Sequence, residues 1–114
     1  MNQNEIKKYE GNYSDSGFWG KLAKFALKIG EPVVYDALLL FYLLKSPSCP
    51  VQQKALILGA LGYLILPADL VPDVIPLLGF TDDAAAIATV IKVVKNNITP
   101  EIENQARKKL SEWF

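Results

Sequence analysis

Three prolines inside ten residues, Pro67, Pro72 and Pro76, interrupt a stretch that is otherwise patterned for helix. Each fixes its own φ and biases the residue before it away from the helical region, so no single helix runs across the whole of Leu66 to Asp83. The apolar pattern must therefore stop near Leu66 and restart beyond the prolines. The segment between reads LPADLVPDVIPLLGFTDD and carries acids at Asp69, Asp73, Asp82 and Asp83. Pro72 suits the first turn of a short helix capped by Asp69, which sets Asp69 and Asp73 on about the same side. Gly79 permits a tight reversal that returns Asp82 and Asp83 toward them. Four carboxylates can then converge.

On either side of this segment the periodicity predicts helices. Met1 to Tyr13 reads as a flexible polar tail (1-13), followed by one helical domain over 14-114. Ser14, Asp15 and Ser16 offer N-caps for a helix from about Gly17 to Ile29, with Phe18, Leu22, Phe25 and Ile29 as its apolar stripe and Lys21, Lys24 and Lys28 on a neighbouring face. Gly30 stops it, and Pro32 suits the first turn of a helix through Leu44 that is apolar on every side except at Asp36. Asp36 is placed in the first turn, where a carboxylate complements the helix dipole. Ser48 or Cys49 is expected to cap a third helix, with Pro50 in its first turn, that continues through Ala55 to Leu66. Its Ala55, Gly59 and Gly62 make a small-residue face where another helix can approach closely. Those glycines are no phosphate-binding loop, because no strand precedes them and no Lys-Ser or Lys-Thr follows. Beyond the prolines, Thr81 is expected to cap a helix with Asp82 and Asp83 in its first turn and Ile87, Val90, Ile91, Val94 and Ile98 as its core stripe. Thr99-Pro100-Glu101 opens the last helix, whose apolar face is Ile102, Ala106, Leu110 and Trp113. The fold class is all-α, a small bundle of about five helices with a Pro/Asp-rich connecting segment.

At 114 residues the chain is long enough to bury one core without disulfides or a structural metal. Its 51% hydrophobic content needs a large core, a membrane or a partner. Twelve basic residues balance twelve acidic ones, which gives no electrostatic case for nucleic acid. The lone Cys49 excludes an internal disulfide framework, and with no histidine most zinc, haem and Ser-His or Cys-His designs fall away. Met1 to Asp15 lacks the apolar stretch of a secretory signal, so export is not expected. The longest uncharged run, Ala55 to Ala68, falls short of the about 20 apolar residues of a spanning helix and ends at Pro67.

The proline segment resembles the YkvA-like proteins of unknown function, whose hallmark is a tyrosine followed by Pro-x-Asp-hydrophobic-hydrophobic-Pro-Asp, then Ile-Pro, Leu-Gly and a closing Asp-Asp. Tyr63, Pro67, Asp69, Leu70, Val71, Pro72, Asp73, Ile75, Pro76, Leu78, Gly79, Asp82 and Asp83 match that pattern throughout. The resemblance covers about a third of the chain at motif level, from Leu56 to Ile87. It implies a small helical protein with a membrane or endomembrane setting, and it brings no catalytic residues.

Three functional readings follow. The first is a membrane-associated protein with a structural or interaction role, on the inner or cytoplasmic side, in which the helices around Val33 to Leu44 and Ala55 to Leu66 form a hairpin that inserts partly or packs with another helical protein or a second copy. Its candidate surface is the first helix, with Trp19 and Phe18 in the headgroup zone and Lys21, Lys24 and Lys28 toward anionic lipid. The second is a soluble, cytoplasmic bundle that binds Ca2+, Mg2+ or a cationic partner through Asp69, Asp73, Asp82 and Asp83, since hard cations prefer carboxylate oxygens. The spacing is not that of an EF-hand, and the plainer account of the four acids is that Asp69 caps a turn, Asp82 and Asp83 favour a helix start and Asp73 accepts backbone amide bonds. The third, a metal-assisted hydrolase at that cluster, lacks any nucleophile, oxyanion motif or nucleotide fingerprint, so no enzyme and no cofactor is expected.

Overall fold

Local signals place most of the helix ends. The computed structural model describes residues 6–7, 10–65 and 76–114, with the backbone alone at 12 and 76–84. Among the described residues a 3-10 turn, Glu10–Asn12, is followed by the α-helices α1 Asp15–Ile29, α2 Glu31–Lys45, α3 Val51–Ile65, α4 Pro76–Val94 and α5 Pro100–Leu110. A second 3-10 turn, Lys95–Asn97, joins the last two. No strand occurs among the described residues, and the all-α bundle expected from the periodicity is what forms.

Ser14 starts α1, its Oγ accepting from the Gly17 amide at 3.0 Å. Gly30 ends it with φ 98°, a conformation open to glycine, and the same residue precedes α2, whose Pro32 lies in the first turn. Thr99 caps α5 by accepting from the Ile102 amide at 3.3 Å, with Pro100 and Glu101 in the first turn.

Three expectations shift. Pro50, rather than Ser48 or Cys49, supplies the first carbonyl of α3, accepting from the Lys54 amide at 3.1 Å. Asp36 does not lie in the first turn of α2: the helix opens at Glu31, and Asp36 sits in the second turn, beyond the reach of the terminal dipole. Thr81 does not cap α4. That helix begins five residues earlier at Pro76, whose missing N–H is one that a first turn leaves unbonded anyway, and so Gly79, Thr81, Asp82 and Asp83 are interior positions without a reversal at Gly79.

α2 and α3, apolar around most of their circumference, occupy the centre, since a helix with no polar face is stable only when covered on all sides. α2 packs on α1, α3, α4 and α5, while α3 packs on α1, α2, α4 and the first 3-10 turn. Leu38, Leu40 and Leu43 of α2 and Ile57, Leu61 and Leu64 of α3 are fully buried, each removal from water stabilising by about 1.5–3 kcal/mol before entropy is counted. Ile87, Val90 and Val94 of α4 and Ile102 and Ala106 of α5 complete the core, while Ile91, Ile98, Leu110 and Trp113 are only partly covered. The radius of gyration, 13.1 Å, equals the about 13 Å expected of a compact chain of this length.

Within 1–13, expected as a flexible tail, Ile6 is fully buried. Residues 6 and 7 are helical and lie against α3 at Gly59, where an added Cβ would stand 2.2 Å from the Ile6 carbonyl oxygen. The small-residue face of α3 is thus in use, with the N-terminal segment as its neighbour. Gly17 plays the same part between α1 and α3: a Cβ there would meet Ile65 Cγ2 at 2.9 Å.

Candidate functional site

Two regions carry the residues singled out above. The first is the proline segment. Pro67, Asp69, Pro72 and Asp73 lie outside the described residues. Of the remainder, Tyr63 is half-buried near the end of α3, Pro76 opens α4, and Gly79, Asp82 and Asp83 are described through their helical backbone. Asp82 and Asp83 are adjacent interior positions of α4. Among the described residues no group of three or more His, Cys, Asp or Glu side chains is placed to hold a metal ion.

The second region is α1. Its core stripe is Phe18, Leu22, Ala26 and Ile29, all buried. Lys21, Lys24 and Lys28 stand on the far side and gather around Phe25, with their Nζ atoms 5.2, 5.4 and 5.9 Å from its ring centroid. Cation–π attraction draws three ammonium groups to one half-buried ring. Next to them Leu27 is 81% exposed, with Gly20 and Ala23 also in solvent.

Trp19 does not join this group. At about 100° per residue it lies roughly 140° or more around the helix from each of the three lysines. It is half-buried in a cluster drawn from α1, α2 and the turn that follows α5: Phe18 at 5.0 Å, Phe41 at 4.7 Å and Trp113 at 6.1 Å between ring centroids. Phe18 and Phe41 stack at 4.9 Å with planes 6° apart. Lys109 lies over Trp19 at 5.1 Å and over Trp113 at 5.5 Å, and is tied to Glu112 at 2.7 Å, a bond that holds its ammonium in the charged form. The sequence pattern of α1 contains no sign of this cluster, because its partners come from residues 41 and 113.

Around these regions the titratable groups are mostly structural. Lys45 pairs with Asp15 at 2.8 Å, and this bond, with a second from the Tyr13 hydroxyl, holds the Asp15 carboxyl below its ordinary value. Burial, and then the Asp15 carboxylate, push the Tyr13 phenol well above its usual range. Burial raises the Asp36 carboxyl and the Cys49 thiol. A half-open cleft of about 400 Å³ lies between the end of α2 and the start of α5, lined by Tyr42, Lys45, Ser46, Thr99, Glu101 and Gln105 among others. It holds charges of both signs, and so selects neither.

No helix among the described residues is long and apolar enough to cross a membrane. The large hydrophobic side chains that stand exposed among them are Leu27, Val51 and Phe114. Most of the apolar surface that a partly inserted α2–α3 hairpin would offer to lipid is buried within the bundle, with Val33, Tyr35, Tyr42, Leu44, Tyr63 and Ile65 partly covered.

Comparison with known proteins locates the family signal in the helix pair that flanks the prolines. A family described as "Protein of unknown function (DUF1232)" matches residues 53–89, from the first turn of α3 to the fourth turn of α4. The uncharacterized membrane protein YkvA of Bacillus subtilis (strain 168) is 36% identical over 53 residues, 46% of this chain and 50% of that protein. The chain therefore spans about half the length of this curated relative. No solved structure matches.

Proposed function

We propose, for a chain that carries the α3–α4 unit of the YkvA-like family of unknown function, that it is a membrane-associated protein with a structural or interaction role, held by its outer surface. The observation that carries this reading is the similarity to a relative named a membrane protein. The burial of α2 and α3 supports the manner of association: their apolar side chains fill the core, so lipid contact falls to side chains outside it. In this reading the protein works on the inner or cytoplasmic face, needs no cofactor and catalyses no reaction. Its partners are the lipid surface and, beyond it, another helical protein or a second copy.

Fractionation and flotation test the reading together. Untagged full-length protein is expected to sediment in part with membranes and to float with liposomes. Recovery wholly in the soluble fraction, with no flotation on any lipid mixture, would rule it out.

A further inference from the structure

We infer that the outer face of α1 is an anionic-lipid docking surface, in which Leu27 enters the headgroup zone and Lys21, Lys24 and Lys28 meet the acidic headgroups. The inference rests on the membrane reading above and names its partner and its residues.

Three observations carry it. The lysines are concentrated: at about 100° per residue they fall within an arc of roughly 60°, and all three ammonium groups lie within 5.9 Å of one ring centroid. The apolar member is the most exposed large hydrophobic among the described residues, with Leu27 at 81% beside Lys24 and Lys28. At Gly20, between Leu27 and Lys24 on the helix surface, an added Cβ would meet nothing within 4 Å, so no described side chain covers that strip. A solvated helix face accommodates three lysines and a single exposed leucine without needing them side by side. A membrane-surface helix requires both, with the cations and the apolar side chain on adjacent strips.

Charge fits a lipid surface in detail. The single acid of α1, Asp15, stands at the other end of the helix, bound to Lys45 at 2.8 Å. With formal net charge +0 for the whole chain, attraction to an acidic surface has to come from a local patch, and it acts only within about 8 Å at physiological salt. The lysines must therefore touch the headgroup layer, which a helix lying in the plane of the interface allows. Trp19 takes no part, being held against Phe41 and Trp113.

Flotation of the full chain with vesicles of phosphatidylcholine alone, and of equal parts phosphatidylcholine and phosphatidylserine, tests the inference. Binding to the mixed vesicles is expected, with release at high salt and little binding to phosphatidylcholine. Each lysine near an acidic surface contributes about fivefold, so the Lys21→Gln, Lys24→Gln, Lys28→Gln triple variant is expected to lose about 100-fold in partitioning. Leu27→Asp is expected to abolish binding with the circular dichroism spectrum unchanged. A second triple variant, Lys92→Gln, Lys95→Gln, Lys108→Gln, removes the same charge from exposed positions outside α1 and is expected to bind nearly as wild type. Equal binding of wild type to both vesicle types would overturn the anionic surface while leaving the membrane reading standing. Equal loss in both triple variants, or none in either, would overturn the α1 face. No binding to any vesicle would overturn both readings.

Discussion

Asp36 stands half-buried on α2, on the stripe that continues one and two turns later into the fully buried Leu40 and Leu43. Burial alone raises its pKa above the ordinary 3.8. The folded state thus holds a proton there that the unfolded chain has already released. Stability attributable to Asp36 is complete at low pH and falls as pH climbs from the unfolded value through the raised folded one. Asp36→Asn is expected to remove that slope and to leave the melting temperature at neutral pH unchanged or higher, within about 1 kcal/mol. Melting curves from acid to neutral pH check it, and a clear loss at neutral pH would give the carboxylate a bonded role. Asp15 titrates in the opposite sense, since its lowered pKa makes it stabilising above the ordinary carboxylate range and that contribution fades as pH drops. At 53% side-chain exposure the pair with Lys45 is screened and weak. The sequence shows Asp36 as the one polar break in an apolar helix. Its placement needs the helix start, and that start is decided by Gly30 at φ 98° acting on both sides at once.

Helix ends are legible where a single strong signal acts and misread where two compete. Gly30 with Pro32 and Thr99 with Pro100 and Glu101 have no rival nearby, and α1 ends and α2 and α5 begin there, while at Ser14-Asp15-Ser16 the first of three adjacent candidate caps is used. Before α4, Pro76 and Thr81-Asp82-Asp83 both signal a start, five residues apart, and the structure starts at the proline. A substitution series separates the two. Ser14→Ala and Thr99→Ala remove side-chain acceptors at true first turns and are each expected to cost about 1 kcal/mol. Thr81→Ala, at an interior position of α4, is expected to be neutral or to stabilise by up to about 0.7 kcal/mol, because alanine is the better helix former. A loss of about 1 kcal/mol at Thr81 in chemical denaturation would instead restore it as the cap. The candidate site is less legible than the helices around it. The motif marks its place between α3 and α4, but whether acids at 69, 73, 82 and 83 meet depends on backbone directions that periodicity does not encode, and α4 already carries two of them inside a continuous helix.

At the scale of the whole molecule, contacts between distant parts of the chain decide what no local pattern shows. Trp19, Phe41 and Trp113 form one cluster across three elements, and Ile6, one apolar residue in a polar stretch, has no periodicity to announce it. Ile6 ties the N-terminal segment to the centre of the bundle through Gly59, and that tie can be tested by two opposing effects of one substitution. Gly59→Ala improves helix propensity by about 1 kcal/mol, yet its Cβ would stand 2.2 Å from the Ile6 carbonyl oxygen and 2.7 Å from its carbon. Backbone cannot yield as a flexible side chain does, so the segment must move off α3, and overpacking of this kind costs about 1–3 kcal/mol. The expected outcome is a net loss of stability together with faster amide exchange at residues 6 and 7, while α2 keeps its protection. In Ile6→Ala the anchor is already gone, the segment has less to lose, and Gly59→Ala should become neutral or stabilising. The two substitutions are therefore expected to be non-additive, with the sign of the Gly59 effect depending on Ile6. Simple additivity, with Gly59→Ala stabilising in both backgrounds, would separate the N-terminal segment from the core and return α3's glycine face to other partners.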